Sequence, residues 1–284
     1  MLFVCRSCTI AVGQGEHKMI PLRDDNPTER KPYVVYALII INAVVFVAQA
    51  LGQFSNLSMI PYSVIHDVRV SMVVDQFGRP VLNQYGVPLI QKLPMVGPHP
   101  QWITIFTSMF LHGSLAHIGG NMLYLWIFGN NIEDVLGHFK FVLFYLVCGT
   151  LAALAHIFAS MGGYGAYIPT IGASGAVAGV LGAYFVLYPR SRISTLLMLG
   201  WWWEMVEIPA VFVLGVWFLM QLTGTLGTGG VVGGGVAYWA HIGGFGAGVV
   251  LILMLGGRKL TRRWRRRSPS PWYEDRPYPF RPWE

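Results

Sequence analysis

Six stretches of this chain are apolar enough, and about long enough, to cross a bilayer, which takes roughly 20 mostly apolar residues each. They run over residues 34–51, 114–132, 141–161, 172–188, 208–223 and 236–255. Backbone in hydrocarbon has no water to bond with, so such segments fold as helices. The expected fold class is therefore all-α, a membrane bundle of six transmembrane helices. Composition agrees, since only 12% of the 284 residues are charged, against roughly 25% in soluble domains.

The loops set the orientation. Arg23, Arg30 and Lys31 precede the first span, Arg190 and Arg192 follow the fourth, and Arg258, Lys259, Arg262, Arg263, Arg265, Arg266 and Arg267 follow the sixth. With six spans these groups share one side, and positive side chains stay in the cytoplasm. The opposite loops, 162–171 and 224–235, carry no charge. The expected organisation is a cytoplasmic segment over 1–33 and a helical domain over 34–256. That domain carries a long extracytoplasmic loop at about 52–113, and a basic, proline-rich cytoplasmic tail follows over 257–284. The net charge of +7 raises nucleic acid as a partner. No recognition motif accompanies the basic cluster, and beside a span such a cluster anchors to anionic lipid. The expected partner is thus the lipid bilayer and not nucleic acid.

Cys5 and Cys8 form a lone CxxC, and the third cysteine, Cys148, is remote from them. A zinc site needs about four ligands, so neither a metal nor another cofactor is expected. The first residues do not read as a signal peptide, because Arg6 breaks a short apolar run. Met19 opens a more ordinary polar lead, and residues 1–18 read as an extension to it. In the long loop, Trp102 and the apolar run to Leu111 suit the membrane interface. Trp201, Trp202 and Trp203 stand where a cytoplasmic aromatic belt would be.

Polar side chains deep in a span are costly and usually functional. His117 and Asn121 lie in the second span, four apart, and so share a helix face. Ser174 opens the fourth span and His241 lies in the sixth. On the topology above, all four fall in the outer half of the bilayer. Each has a plainer reading: a serine at a helix start is an ordinary cap, and His or Asn can simply join helices. Gly175 and Gly179 make a small-xxx-small pair on the fourth span, as do Gly244 and Gly248 on the sixth. Packing of these two stripes would bring Ser174 and His241 within hydrogen-bond reach. No HExxH run is present for a zinc protease, and the span cores carry no acid for an aspartyl one. Ala176 breaks the G-x-S-x-G of an α/β-hydrolase. A channel would need a continuous polar line, and only scattered residues such as Asn42 and Asn130 are seen.

The GASG around Ser174, the AHIGGFGAG around His241 and the His112-x4-His117-x3-Asn121 spacing resemble the rhomboid signature, over about residues 19–257. The resemblance implies a six-helix rhomboid bundle and an intramembrane serine protease with a Ser174–His241 dyad. It implies that His117 and Asn121 face the oxyanion, with Gly172, Gly175, Gly244 and His112 as structural neighbours of the site. Glu133 falls where the family has an acid in its second cytoplasmic turn. Implied substrates are transmembrane helices of other proteins, cleaved near the outer face. The alternative is an inactive relative that binds client helices. Two positions depart from the family pattern: Ala178 replaces an aromatic that stacks on the histidine, and Ile103 follows Trp102 where arginine is common. What orients His241 is therefore open at this point, as are the oligomeric state and the physiological substrate. Substrate access past the fifth span, by Trp217 and Phe218, is expected. The expected location is a bacterial cytoplasmic membrane, with both termini cytoplasmic.

Overall fold

The structure is a computed structural model that describes residues 17–54, 56–77, 79–84, 88–161, 163–199, 201–227 and 237–261. The CxxC pair, Arg262 to Arg267 and the tail beyond them lie outside these residues.

Strand β1 (His17–Asp24) leads into helix α1 (Tyr33–Ala50). The long loop then carries helix α2 (Pro61–His66) and the antiparallel strands β2 (Val70–Met72) and β3 (Ile90–Lys92). A run of tight turns around α3 (Thr104–Thr107) closes it, with Trp102 exposed and set edge-on to Phe106. Helix α4 (Leu115–Tyr124) passes through a π-turn (Leu125–Gly129) into α5 (Asn130–Leu136), so helical backbone continues through 115–136. Gly137, at φ +78°, is the single residue between α5 and α6 (His138–Ser160). Helix α7 (Ser174–Leu187) follows and stops before Pro189, which cannot continue it. Strands β4 (Arg192–Leu199) and β5 (Trp202–Pro209) form a hairpin, and β5 leads without a linker into α8 (Ala210–Gly227). Helix α9 (Tyr238–Met254) completes the bundle.

Burial runs opposite to the pattern of a soluble protein. Helix α7 is the axis: every residue from 175 to 184 is buried. Ile40 and Val44 on α1, Phe158 on α6, Phe212 and Leu219 on α8 and Val250 on α9 are exposed. Such a belt of apolar side chains around several helices suits lipid and not water. By length and composition α1 and α6 can cross a bilayer, while α7, α8 and α9 are shorter apolar helices.

One feature lies outside the all-α expectation. Strands β1, β4 and β5 form a three-stranded antiparallel sheet in that order, at the end of the bundle that bears Arg190. The boundary drawn at Met19 cuts into β1, since His17 and Lys18 already pair with Leu199 and Met198. The three tryptophans sit on the turn and edge strand of this sheet, exposed, and not on a helix start.

Polar side chains fasten the same end. The N-terminus of α1 carries N–H groups with no intrahelical partner and a partial positive charge. Fully buried Glu133 accepts from the N–H groups of Val34 (3.0 Å) and Val35 (2.9 Å) and meets His138 Nδ1 at 2.5 Å. Asp134 accepts from the Glu29 and Arg30 N–H groups at 3.1 and 2.9 Å. Asp24 Oδ2 accepts from Asn131 Nδ2 (2.6 Å) and from the Tyr184 hydroxyl (2.8 Å), tying β1 to α5 and α7.

Burial pushes the Asp24 carboxyl up to about 6, against the opposing pull of the Tyr184 and Asn131 hydrogen bonds. Because the folded state holds this proton more tightly than the unfolded one, stability rises as pH falls through about 6. The gain is complete below the ordinary aspartate value of 3.8 and on the order of 2–3 kcal/mol. Thermal melting of the detergent-solubilised protein should therefore show the wild-type midpoint rising relative to that of Asp24→Asn on acidification from pH 7.5 to 5. The Asp24→Asn variant should lack that increment; parallel pH profiles would refute the assignment.

Candidate active site

Close packing of two helices builds the site. A methyl group at Gly244 of α9 would run into the carbonyl oxygen of Gly175 on α7, and one at Gly248 into that of Gly179. On the other side, a Cβ at Gly175 would stand 2.7 Å from the Cβ of Ala152 on α6. Only hydrogen at these positions lets the backbones meet, which is the use of small-residue stripes in membrane helices. The contact continues to the helix ends, where Ser174 Oγ and His241 Nε2 stand 2.8 Å apart.

Ser174 is the first residue of α7, and its N-cap, Ala173, supplies no side-chain hydrogen bond. The N–H groups of the first turn therefore have no intrahelical acceptor and carry the positive end of the helix dipole. The chain reaches Ser174 through Gly172, whose φ of +126° is closed to other residues without strain. A Cβ there would also lie 2.7 Å from His117 Nε2, so the His117 ring lies against the loop that leads into Ser174. The Gly172 N–H donates to Ser108 O at 2.9 Å and fixes that loop.

Asn121, one turn after His117, is buried and donates from Nδ2 to His112 Nε2 at 3.0 Å. An amide has a second N–H, left for an acceptor in the cavity. His112 is buried too; its backbone N–H donates to Gln49 Oε1 at the end of α1, and its ring lies edge-on to that of His117. It thus joins the long loop, α1 and Asn121. Ser174, His241, His117 and Asn121 all line one cavity of about 400 Å³.

Ala178 is buried, lines the same cavity and offers no ring. Two residues of α8 take its place. Trp217 lies with its ring centre 5.8 Å from that of His241, tilted by 36°. Gln221, 1% exposed, sets Oε1 2.8 Å from His241 Nδ1. Sequence reasoning missed Gln221, although a glutamine in an apolar span, four residues after Trp217, is the signal that drew attention to Asn121. Trp217 and Phe218, expected to form a gate, both pack on Phe245 and hold α8 to α9.

A sequence model of the Rhomboid domain matches residues 99–258, which contain Ser174, His241, His117, Asn121, His112, Trp217 and Gln221 but not Gln49. The chain belongs to the rhomboid family. It is 29% identical over 179 residues to Rhomboid-like protein 11, chloroplastic, of Arabidopsis thaliana, covering 58% of this chain and 57% of that protein. With Rhomboid protease GluP of Bacillus subtilis it shares 30% identity over 135 residues, 47% of this chain and 25% of the relative. With the presenilin-associated rhomboid-like protein, mitochondrial, of Homo sapiens it shares 34% over 91 residues, 32% of this chain and 24% of the relative. The chain thus spans between about a quarter and somewhat over half of these relatives. Rhomboid membership makes it an integral membrane protein of mainly helical fold. The relatives come from chloroplast, mitochondrion and a bacterium, so kinship leaves the compartment open.

The glycine contact is testable apart from any activity. Replacing Gly248 by Val should lower the unfolding midpoint in detergent by the equivalent of about 2–3 kcal/mol or more, the cost of forcing bulk into a packed core. Gly246, on the same helix with nothing within 4 Å of a Cβ, should accept Val with little change. Equal effects at both positions would contradict the packing described.

Proposed function

We propose that this chain is an intramembrane serine endopeptidase that cleaves transmembrane helices of other proteins near the outer membrane face. The observation that carries the reading is the 2.8 Å hydrogen bond between Ser174 Oγ and His241 Nε2 inside a largely apolar bundle.

The proposed topology has six spans, formed by α1, α4 with α5, α6, α7, α8 and α9, with both termini cytoplasmic. The domain bounds proposed are those of the sequence: 1–33 before the bundle, 34–256 within it and 257–284 after it. The membrane proposed is a bacterial cytoplasmic one, with the basic flanks on its inner side. A helix of 14 residues rises about 21 Å, short of the roughly 30 Å hydrocarbon core. Helix α7 ends at Leu187, just before Arg190, so with that end at the cytoplasmic face Ser174 lies below the outer surface, and the cavity around it must admit water for hydrolysis.

The chemistry follows from the two atoms. Ser174 Oγ attacks the scissile carbonyl carbon while its proton passes to His241 Nε2. The carbonyl oxygen becomes an oxyanion, faced by the Ser174 N–H, the free N–H of Asn121 and the His117 ring. Losing one such donor typically costs about 100- to 1000-fold in rate. Collapse breaks the C–N bond, and Nε2 returns the proton to the departing amine. Water then attacks the acyl-enzyme, gives its proton to Nε2, and the serine leaves with that proton restored. A substrate helix has its amides already bonded, so it must unwind locally to reach Ser174, which favours segments with small or helix-weakening residues.

The test is cleavage of a single-span substrate in detergent by wild type and by Ser174→Ala. Wild type should cleave and the variant should fall by at least about 10³-fold. Equal cleavage by both would reject Ser174 as nucleophile, and cleavage by neither would favour a client-binding protein without protease activity.

A further inference from the structure

We propose that Gln221 is a positioning residue that fixes the tautomer of His241, so that the Ser174–His241 dyad is oriented by a neutral amide. The proposal rests on the protease reading above for its catalytic consequence, but its structural content stands by itself.

Gln221 Nε2 donates to the carbonyl oxygen of Trp217, one turn earlier on α8, at 3.3 Å. An NH₂ group cannot accept, so this bond turns Oε1 toward the histidine. Oε1 lies 2.8 Å from His241 Nδ1 and can only accept. Nδ1 must therefore carry the ring proton, which leaves a lone pair on Nε2 directed at Ser174 Oγ, 2.8 Å away. That is the tautomer a general base needs. A ring with the proton on Nε2 would set a lone pair against Oε1 and could not take the serine proton. The ring is flanked as well, since the Trp217 ring stands beside it.

The choice of an amide suits the site. Gln221 is buried, and an ionised carboxylate here would need a compensating charge in a low-dielectric surround. Among the described residues no carboxylate bonds to His241. The amide orients the ring by its dipole without that cost. It also answers the absence of an aromatic at Ala178, because orientation is supplied from α8 instead of α7.

The experiment has two readouts in detergent-solubilised full-length protein. The first is the ¹⁵N chemical shifts of ring-labelled histidine, with the His241 signals assigned by their loss in His241→Ala. Wild type should show Nδ1 protonated and Nε2 not. Gln221→Met, which keeps the volume and removes the acceptor, should shift the population toward the Nε2-protonated form. The second readout is steady-state cleavage of the single-span substrate. Gln221→Met should lower kcat at least about tenfold, within the about 10²- to 10⁴-fold that a positioned base supplies, with KM changed less than twofold. Gln221→Glu, whose carboxyl in its neutral form keeps a carbonyl oxygen at the same place, should recover most of the lost rate. An unchanged tautomer in Gln221→Met would overturn the proposal whether or not the protein proves to be a protease. So would equal loss in the Met and Glu variants, the mark of a purely structural position. A wild type that shows the Nδ1 tautomer but no cleavage would retain the positioning role and reject the protease reading alone.

Discussion

Carbonyl oxygens of Gly175 and Gly179 stand where side chains of Gly244 and Gly248 would otherwise be, and most of the molecule is arranged around that approach. In lipid, helices gain little from hiding apolar surface, because the solvent is itself apolar. Association must come from close van der Waals contact, and that needs small residues facing each other. Helix α7 takes this furthest: it is buried along nearly its whole length and packs against α6 and α9. The same closeness sets the distance between Ser174 and His241, so helix packing and the geometry of the dyad are one constraint.

The two ends of the bundle use polar groups differently. At the Arg190 end, Glu133, Asp134 and Asp24 meet backbone N–H groups, a hydroxyl and an amide, and they pin the N-terminal lead and the small sheet to the helices. At the other end the polar groups surround a cavity: His112 holds Asn121, Gln221 holds His241, and the first turn of α7 is left uncapped. Satisfied polar groups make an anchor, and groups that keep one hydrogen-bonding position open make a site. The rhomboid kinship fits this division, since the matched region contains Ser174, His241, Asn121, His112 and Gln221.

Much of this was legible in the sequence because membranes impose strong rules. The apolar runs fall largely on helical backbone, and Ser174, His241, His117 and Asn121 stood out as polar residues in apolar surroundings. Two things were not legible. The sheet escaped because β1 pairs with β4 from across helices α1 to α7, and the leucines, methionines and tryptophans of β4 and β5 suit a strand, an interfacial helix or a belt equally well. The support of His241 escaped because the aromatic expected at Ala178 drew attention to α7. The group that does the work comes from α8 and is recognisable only once the Nδ1 side of the ring is seen. Glu133 was placed by resemblance, but its task of satisfying the start of α1 needs the three-dimensional meeting of two distant segments.

The central claim is that the helix contact activates one serine through one histidine. Covalent labelling by a fluorophosphonate probe, mapped by peptide mass spectrometry in wild type and in His241→Ala, tests it most directly. The account predicts phosphonylation of Ser174 in wild type and its loss when His241 is removed. Labelling of Ser174 that survives the loss of His241, or a wild type modified at some other serine, would contradict it.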